Sequence, residues 1–194
     1  YALNEVVNAI TQETSANFEP ALDYVALKFP RWDLQKFQQV STQLGTEMKS
    51  VGEVMSLGRS FEEVLQKAIR MLDVGMKGFI GNQLQFKDLD KELSEPTDKR
   101  IFVIAEALKH GYSVDKIHQL TKITKWFLYK MKNIVDLENY AKGMTIDKID
   151  FELMKHLKQS GFSDLQIGQI VNADEMTVRN YRKSLKIIPV VKQI

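Results

Sequence analysis

The sequence contains no cysteine. Disulfides, thiol catalysis and thiolate metal sites are therefore excluded within it, and a cytosolic (cytoplasmic) setting fits the lack. No run approaches the roughly 18 apolar residues of a membrane helix, and the start does not read as a signal peptide. Charge of one sign is also missing. Lys and Arg number 27 against 25 Asp and Glu, a net +2 over 194 residues. The chain as a whole has no strong field for nucleic acid, so any basic character must be local. Tyr1 opens a sequence that already reads as mid-chain, and Ile194 follows an apolar run without an evident stop. The expectation is a piece excised from a longer protein.

What is present is organised around Thr46 to Met71. Val51 to Leu57 is extended and apolar, with Gly52 and Gly58 as punctuation. Ser60 stands three residues before Glu63, the spacing of a capping box at a helix start. Phe61, Val64, Leu65, Ala68, Ile69 and Leu72 recur at helical spacing and predict one buried face. Glu62, Glu63, Gln66, Lys67 and Arg70 are expected to cover the opposite, exposed face, acids in the first turn and bases later.

Upstream, residues 3 to 10 suggest a short helix and Thr11 to Asn17 a loop. Ala21 to Phe29 alternates as a strand, with Asp23, Val25, Leu27 and Phe29 facing one way and Leu22, Tyr24, Ala26 and Lys28 the other. Pro30 is expected to end it, and Arg31-Trp32-Asp33 to open a helical turn through Phe37. Two strands alone are marginal in water, so the sheet looks incomplete. Downstream, Gly75, Gly78 and Gly81 mark a loop, an acidic stretch follows, and from Lys99 the pattern is helical. Helices are predicted over 100–110, from Ser113, over 125–137, 146–158, 163–171 and 174–185, with an extended tail at Ile187 to Val191.

The helical part contains an echo. Gly111-Tyr-Ser, Ile117, Leu120, Leu128, Met131 and Lys132 match Gly161-Phe-Ser, Ile167, Ile170, Val178, Tyr181 and Arg182 fifty positions on. Each copy reads as glycine stop, serine cap, short helix, turn and second helix, which supports a compact all-α second half. The second copy, Ser163 to Lys183, also has the form of a helix-turn-helix. Its second helix would present Thr177, Arg179, Asn180, Arg182 and Lys183, residue types that reach phosphates and base edges. A basic-faced helical bundle is the plain alternative.

Other chemistry is thin. His110, His118 and His156 lack partners at ligand spacing on one helix turn. The three glycines are not spaced as a phosphate loop. Glu19, Asp23 and Glu53 suggest a carboxylate cluster, which ion pairs with Lys28, Arg31 or Lys49 explain equally well. Trp126, Phe127 and Tyr129 sit at core-like spacing. No nucleophile–base pair or metal set marks a stand-alone enzyme.

Several stretches carry a resemblance. Met48-Lys-Ser-Val-Gly-Glu-Val-Met55, Gly58-Arg-Ser-Phe-Glu-Glu63 and Gln66-Lys-Ala68 resemble the large chain of carbamoyl-phosphate synthase, where they close the first ATP-grasp unit and lead into the helical oligomerisation domain. Phe18-Glu-Pro-Ala-Leu-Asp-Tyr24, Pro30-Arg-Trp-Asp33 and Lys36-Phe37 resemble the segment before it. Leu93-Ser-Glu-Pro-Thr-Asp-Lys-Arg100, Leu120-Thr121, Lys125-Trp-Phe-Leu128, Gly161-Phe-Ser-Asp164 and Pro189 to Ile194 resemble the oligomerisation domain and its exit. The resemblance covers nearly the whole chain and is weakest at Ala141 to Lys158.

The resemblance implies a mostly α fold. Residues 1–74 would form a small partial α+β segment, the C-terminal part of the carboxyphosphate-forming ATP-grasp unit. Residues 75–194 would form an all-α oligomerisation domain. The implied parent is an ATP-dependent ligase that uses Mg or Mn and makes carbamoyl phosphate from bicarbonate and glutamine-derived ammonia, for pyrimidine or arginine synthesis. Its nucleotide-binding arginines and metal-binding Glu and Asn would precede Tyr1. The second ATP-grasp unit and a regulatory domain would follow Ile194. No catalytic, cofactor-binding or metal residue is expected in this piece, which would link the ATP-using halves. Implied partners are a glutaminase chain or domain and further copies through the helical domain, without nucleic acid or membrane. The same resemblance makes Met48, Val51 and Glu53 candidate linings of the tunnel that conveys ammonia and carbamate. The plain alternative is a buried strand at the back of the sheet. Glu53 is the better candidate, because a carboxylate in an apolar strand needs a partner or a purpose.

Overall fold

The computed structural model describes residues 1–18, 21–36 and 39–191. Glu19, Phe37 and the last residues of the expected exit segment lie outside these. A single 3-10 turn at Leu3–Glu5 replaces the expected short helix near the start. Two strands follow, β1 (Val25–Arg31) and β2 (Gly52–Gly58), paired antiparallel with Val25 opposite Gly58 and Arg31 opposite Gly52. Val25, Leu27 and Phe29 alternate inward against exposed Ala26 and Lys28, as the pattern predicts. Pro30 does not end the strand but lies within it. In a two-stranded sheet every strand is an edge, and an edge tolerates a residue without an N–H. A second 3-10 turn, Leu34–Lys36, stands where the helical turn is expected.

The helix α1 (Phe61–Met71) begins at Ser60, whose side chain accepts from Glu63 N. Glu63 does not complete the expected box; its carboxylate accepts from Arg59 N at 2.8 Å. Beyond α1 come α2 (Leu89–Ser94), which the acidic composition hides, α3 (Arg100–Lys109), α4 (Val114–Thr121), α5 (Lys125–Ala141), α6 (Phe151–Gln159), α7 (Asp164–Val171) and α8 (Glu175–Ser184). A mostly α architecture with one small two-stranded sheet is the result.

The sheet lies on one side of α1. Leu27 and Phe29 pack against the same core that holds Phe61, Leu65 and Ile69, and Ser56 Oγ donates to Val64 O at 2.8 Å. The face of α1 expected to meet water is buried as well. Glu62 is 8% exposed and Gln66 is fully buried, because α5, α7 and the 76–82 loop cover that side. The core runs without a break from α1 through Phe79, Leu93, Ile104, Ile117, Leu128, Ile134, Met154 and Ile167 to Val178. Helix α1 therefore belongs to the hydrophobic core of the helical body while carrying the sheet on its back.

The internal echo is structural. Ser113 and Ser163 both cap, accepting from Lys116 N and Gln166 N. Lys122 and Asn172 both end their helices in the left-handed conformation, at φ 60 and 55. Ile117 and Ile167 are both fully buried, as are Leu128 and Val178. Gly111 and Gly161 both have positive φ, 79 and 84. They differ in surroundings. A Cβ on Gly111 would meet nothing, whereas one on Gly161 would lie 2.9 Å from Glu63 Cα and 3.0 Å from its carbonyl oxygen. Gly161 thus serves two demands, backbone angle and close approach of α1.

The pair separates those demands by experiment. Gly111→Ala should cost only the left-handed backbone strain, about 1 kcal/mol. Gly161→Ala should cost that plus an overpacking penalty of about 1–3 kcal/mol. Urea unfolding of the two variants measures the difference; equal losses would show that α1 does not rest on this turn.

Candidate functional site

Two seams and two open faces are the candidates. The first seam joins α1 to α7 through amides. Gln166 Nε2 donates to Gln66 Oε1 at 2.9 Å and lies 3.3 Å from the Ile80 carbonyl. Gln66 Nε2 donates to Ser160 O at 3.0 Å. Gln166 Oε1 accepts from Arg70 at 3.1 Å and from Ser163 N at 3.0 Å. Every polar atom of both amides has a partner, which is what makes their burial affordable. Gly78 leaves the room, since a Cβ there would lie 2.5 Å from Gln166 Nε2. Burial lowers the pKa of Arg70 below the ordinary arginine value.

The second seam is ionic and holds α7 to α8. Arg182 Nε donates to both oxygens of Asp164 at 2.9 Å, and Lys158 Nζ reaches the same carboxylate at 2.8 Å. Arg182 and Asp164 side chains are each 7% exposed. Desolvation opposes the charge on Asp164, but hydrogen bonds from Lys158 and Arg182 outweigh it and hold the carboxyl below its usual range. Burial lowers Lys158. This geometry takes two residues out of the expected DNA-reading set. Arg182 is spent inside the fold, also donating to Ile187 O, and Thr177 donates its hydroxyl to the capping Asp174. Only Arg179, Asn180 and Lys183 of the expected five face outward freely.

The first open face is the outside of the sheet. In the stretch that leads into β2, Met48 is 89% exposed and Val51 53%. Glu53 is also exposed, and its carboxylate meets Lys28 Nζ at 2.8 Å across the strands. Met55 and Leu57 share this face with Glu53. Asp23, expected near Glu53, instead pairs with Arg59; the third proposed carboxylate, Glu19, lies outside the described residues. The second open face is aromatic. Phe61, Trp126 and Phe127 form a mutually packed triad with centroids 5.0–5.8 Å apart. Trp126 is 53% exposed, Phe127 42% and Tyr129 53%. These three residues were expected in the core by spacing; the core side of α5 is taken by Leu128, Met131, Ile134 and Val135 instead.

Among the described residues no group of three or more His, Asp or Glu side chains converges as a metal site. The histidines are dispersed: His110 contacts Glu106, and His118 Nδ1 lies 2.7 Å from Ile123 O. No helix among the described residues is long and apolar enough to cross a membrane.

Comparison with known proteins gives consistent results. A family model described as carbamoyl-phosphate synthetase large chain, oligomerisation domain, matches residues 53–186. The chain is 52% identical to the arginine-specific, mitochondrial carbamoyl phosphate synthase large chain of Schizosaccharomyces pombe, over all of this chain and 17% of that protein. It is 52% identical to the multifunctional protein pyr1-3 of Dictyostelium discoideum, over all of this chain and 9% of that protein. Against the multifunctional protein CAD of Squalus acanthias it is 50% identical, over 96% of this chain and 8% of that protein. The chain thus spans less than a fifth of the length of these relatives. None of the three is described as a DNA-binding protein.

The ionic seam yields a prediction with a sign. Asp164→Ala should cost about 3–5 kcal/mol, since it strands buried cations. Asp115→Ala, which breaks only the surface pair with Lys125, should cost less than about 1 kcal/mol. Because the folded-state pKa of Asp164 is depressed, its contribution is complete above about pH 4 and is lost as the pH falls through the lower folded value. Unfolding followed by circular dichroism from pH 6 to 2 should therefore show a steeper acid loss in the parent chain than in Asp164→Asn.

Proposed function

The chain belongs to the carbamoyl-phosphate synthase large-chain family, and from that premise we propose that it is the piece of such a large chain that ends the carboxyphosphate-forming ATP-grasp unit and supplies the helical oligomerisation domain. The observation that carries this is the unbroken match over residues 53–186, which starts in β2 and runs through every helix. The parent activity proposed is ATP-dependent synthesis of carbamoyl phosphate from bicarbonate and ammonia released from glutamine, serving arginine or pyrimidine synthesis. Among the described residues no three His, Asp or Glu side chains converge as a metal site, and no step is assigned to this chain. ATP and Mg or Mn would be held by other parts of the parent.

What this chain contributes is position. Helix α1 sits between sheet and helical body and is packed on both faces. That suits a joint between two catalytic halves. Glu53 on the outer sheet face, with Met48 and Val51 in the stretch that leads into β2, is the part proposed to line the tunnel for ammonia and carbamate. It is open in this chain and available for the rest of the parent to cover. The partner reading comprises a glutaminase chain or domain and further copies of the large chain. The exposed Trp126 and Phe127, packed on buried Phe61, support it, because large aromatic patches on a surface mark interfaces. A cytoplasmic setting is part of the proposal, although the S. pombe relative carries a mitochondrial label.

The natural gene product tests the proposal. It should be at least fivefold longer than this chain and should form carbamoyl phosphate from bicarbonate, ammonia and ATP. A product of 194 residues, or one without that activity, would overturn it. In the longer protein, Glu53→Gln should leave ATP hydrolysis running while carbamoyl phosphate per ATP falls. Unchanged coupling removes the tunnel assignment. Trp126→Glu should lower the assembly mass in light scattering without loss of helicity.

A further inference from the structure

The two helix pairs diverge at their ends. Helix α5 runs 17 residues to Ala141, whereas α8 stops after 10, at Ser184. The corresponding residues Lys132 and Arg182 take different paths. Lys132 stays on the surface, its Nζ meeting Asp136 one turn on at 2.7 Å, and α5 continues past it. Arg182 turns inward and closes the end of α8. Its carbonyl oxygen accepts from Ile187 N at 2.9 Å, and a terminal guanidinium nitrogen donates to Ile187 O at 2.9 Å. Lys186 makes the turn between them in the left-handed conformation, at φ 59, and its N–H donates to Lys183 O. These are the two bonds of a Schellman ending. One residue thus holds both backbone polar groups of Ile187. Arg182 is itself fixed, since its Nε donates to both oxygens of buried Asp164.

The core ends at the same point. Ile187 still packs against it, but Ile188 is 61% exposed and Val190 68%. Packing therefore does not guide the chain beyond Ile187. Local stereochemistry does. The ring of Pro189 locks its own φ and keeps Ile188 out of the helical region. Ile187, Ile188 and Pro189 are constrained in succession, the opposite of a flexible glycine- and serine-rich linker. We propose that residues 187–189 form a rigid strut, and that Arg182 is the positioning residue that fixes the direction in which the chain leaves the helical body. The strut is referenced to α7 through Asp164, and Gln166 ties the same helix to α1. The exit is thereby set relative to α1. Under the proposed function this is the angle at which the following ATP-using half leaves the helical domain. That consequence rests on the reading above; the strut does not.

The 194-residue chain has no cysteine, so spin labels attach only where cysteines are introduced. Glu152→Cys on α6 and Val190→Cys beyond the strut, both exposed positions, give a distance distribution by pulsed electron paramagnetic resonance. The otherwise unsubstituted chain should show one narrow distance. Arg182→Lys keeps a cation for Asp164, where Lys158 also remains at 2.8 Å, but one ammonium does not replace the guanidinium fork that reaches Ile187 O as well. The distribution should then widen by about twofold or more. Amide exchange at Ile187 should speed up by about tenfold while that at Ile117, in the first copy, is unchanged; a general loss of stability would move both. Pro189→Gly, outside the core, should widen the distribution with the fold intact, and it decides the strut should Arg182→Lys fail to fold. A broad distribution in the unsubstituted chain, or one as narrow in Pro189→Gly, overturns the strut. A distribution as narrow in folded Arg182→Lys overturns the role of Arg182.

Discussion

The amide pair Gln66–Gln166 is the constraint on which the arrangement rests. Helix α1 has an apolar face for the sheet and the core, yet its other side is buried too. For the two glutamines that burial is tolerable because every polar atom of the pair has a partner. Once they are matched, the rest follows closely. Gly161 must lack a side chain so that the turn can touch Glu63, and Gly78 must lack one so that Gln166 can lie flat. Arg70 must turn inward, where it meets Gln166 rather than water.

The two helix pairs show how one pattern is bent to this need. From 121 to 129 and from 171 to 179 the alternation of buried and exposed residues is the same. In the preceding turns it differs. Gly111 and Lys116 are open or half-open, whereas Gly161 and Gln166 are buried. The second copy meets α1 through its glycine turn and first helix, the first copy only through its second helix, where Trp126 and Phe127 pack on Phe61. At the next level Val114, an apolar residue in the first turn, corresponds to Asp164, which would be an error in a core without Lys158 and Arg182 to receive it. The pair keeps its backbone plan while its chemistry is rewritten by a neighbour.

Much of this was legible beforehand for a physical reason: helix ends and apolar stripes are local. Ser60, Ser113 and Ser163 mark their helices because a cap is decided within four residues. The inward set of α1, from Phe61 to Leu72, follows from spacing alone. What spacing does not reveal is a second contact on the polar side, so Glu62 and Gln66 looked like surface residues. The same limit misplaced Trp126 and Phe127, whose apolar character says that they prefer cover but not that the chain itself provides it. Pro30 misled in the other direction, because its meaning depends on how many strands flank it. The short α2 was hidden by its acidic residues, of which Asp88 serves as the cap. Of the outer sheet face, sequence gave the residues and the structure their exposure; Glu53 turned out to have its partner in Lys28.

The lock has a consequence in time. Gln66 and Gln166 are 100 residues apart, and a ribosome extends a chain at about 5–20 residues per second. After α1 leaves the exit tunnel, roughly 5–20 s pass before α7 exists to receive it. Helix formation itself takes about a microsecond, but an isolated helix of 11 residues is marginal in water, so α1 is not secured until α5 and then α7 arrive to pack on it. The nascent protein is therefore most exposed to aggregation and to chaperone capture between the emergence of α1 and the emergence of α7. The glycine-rich turn after α1 is the swivel on which the late closure is made.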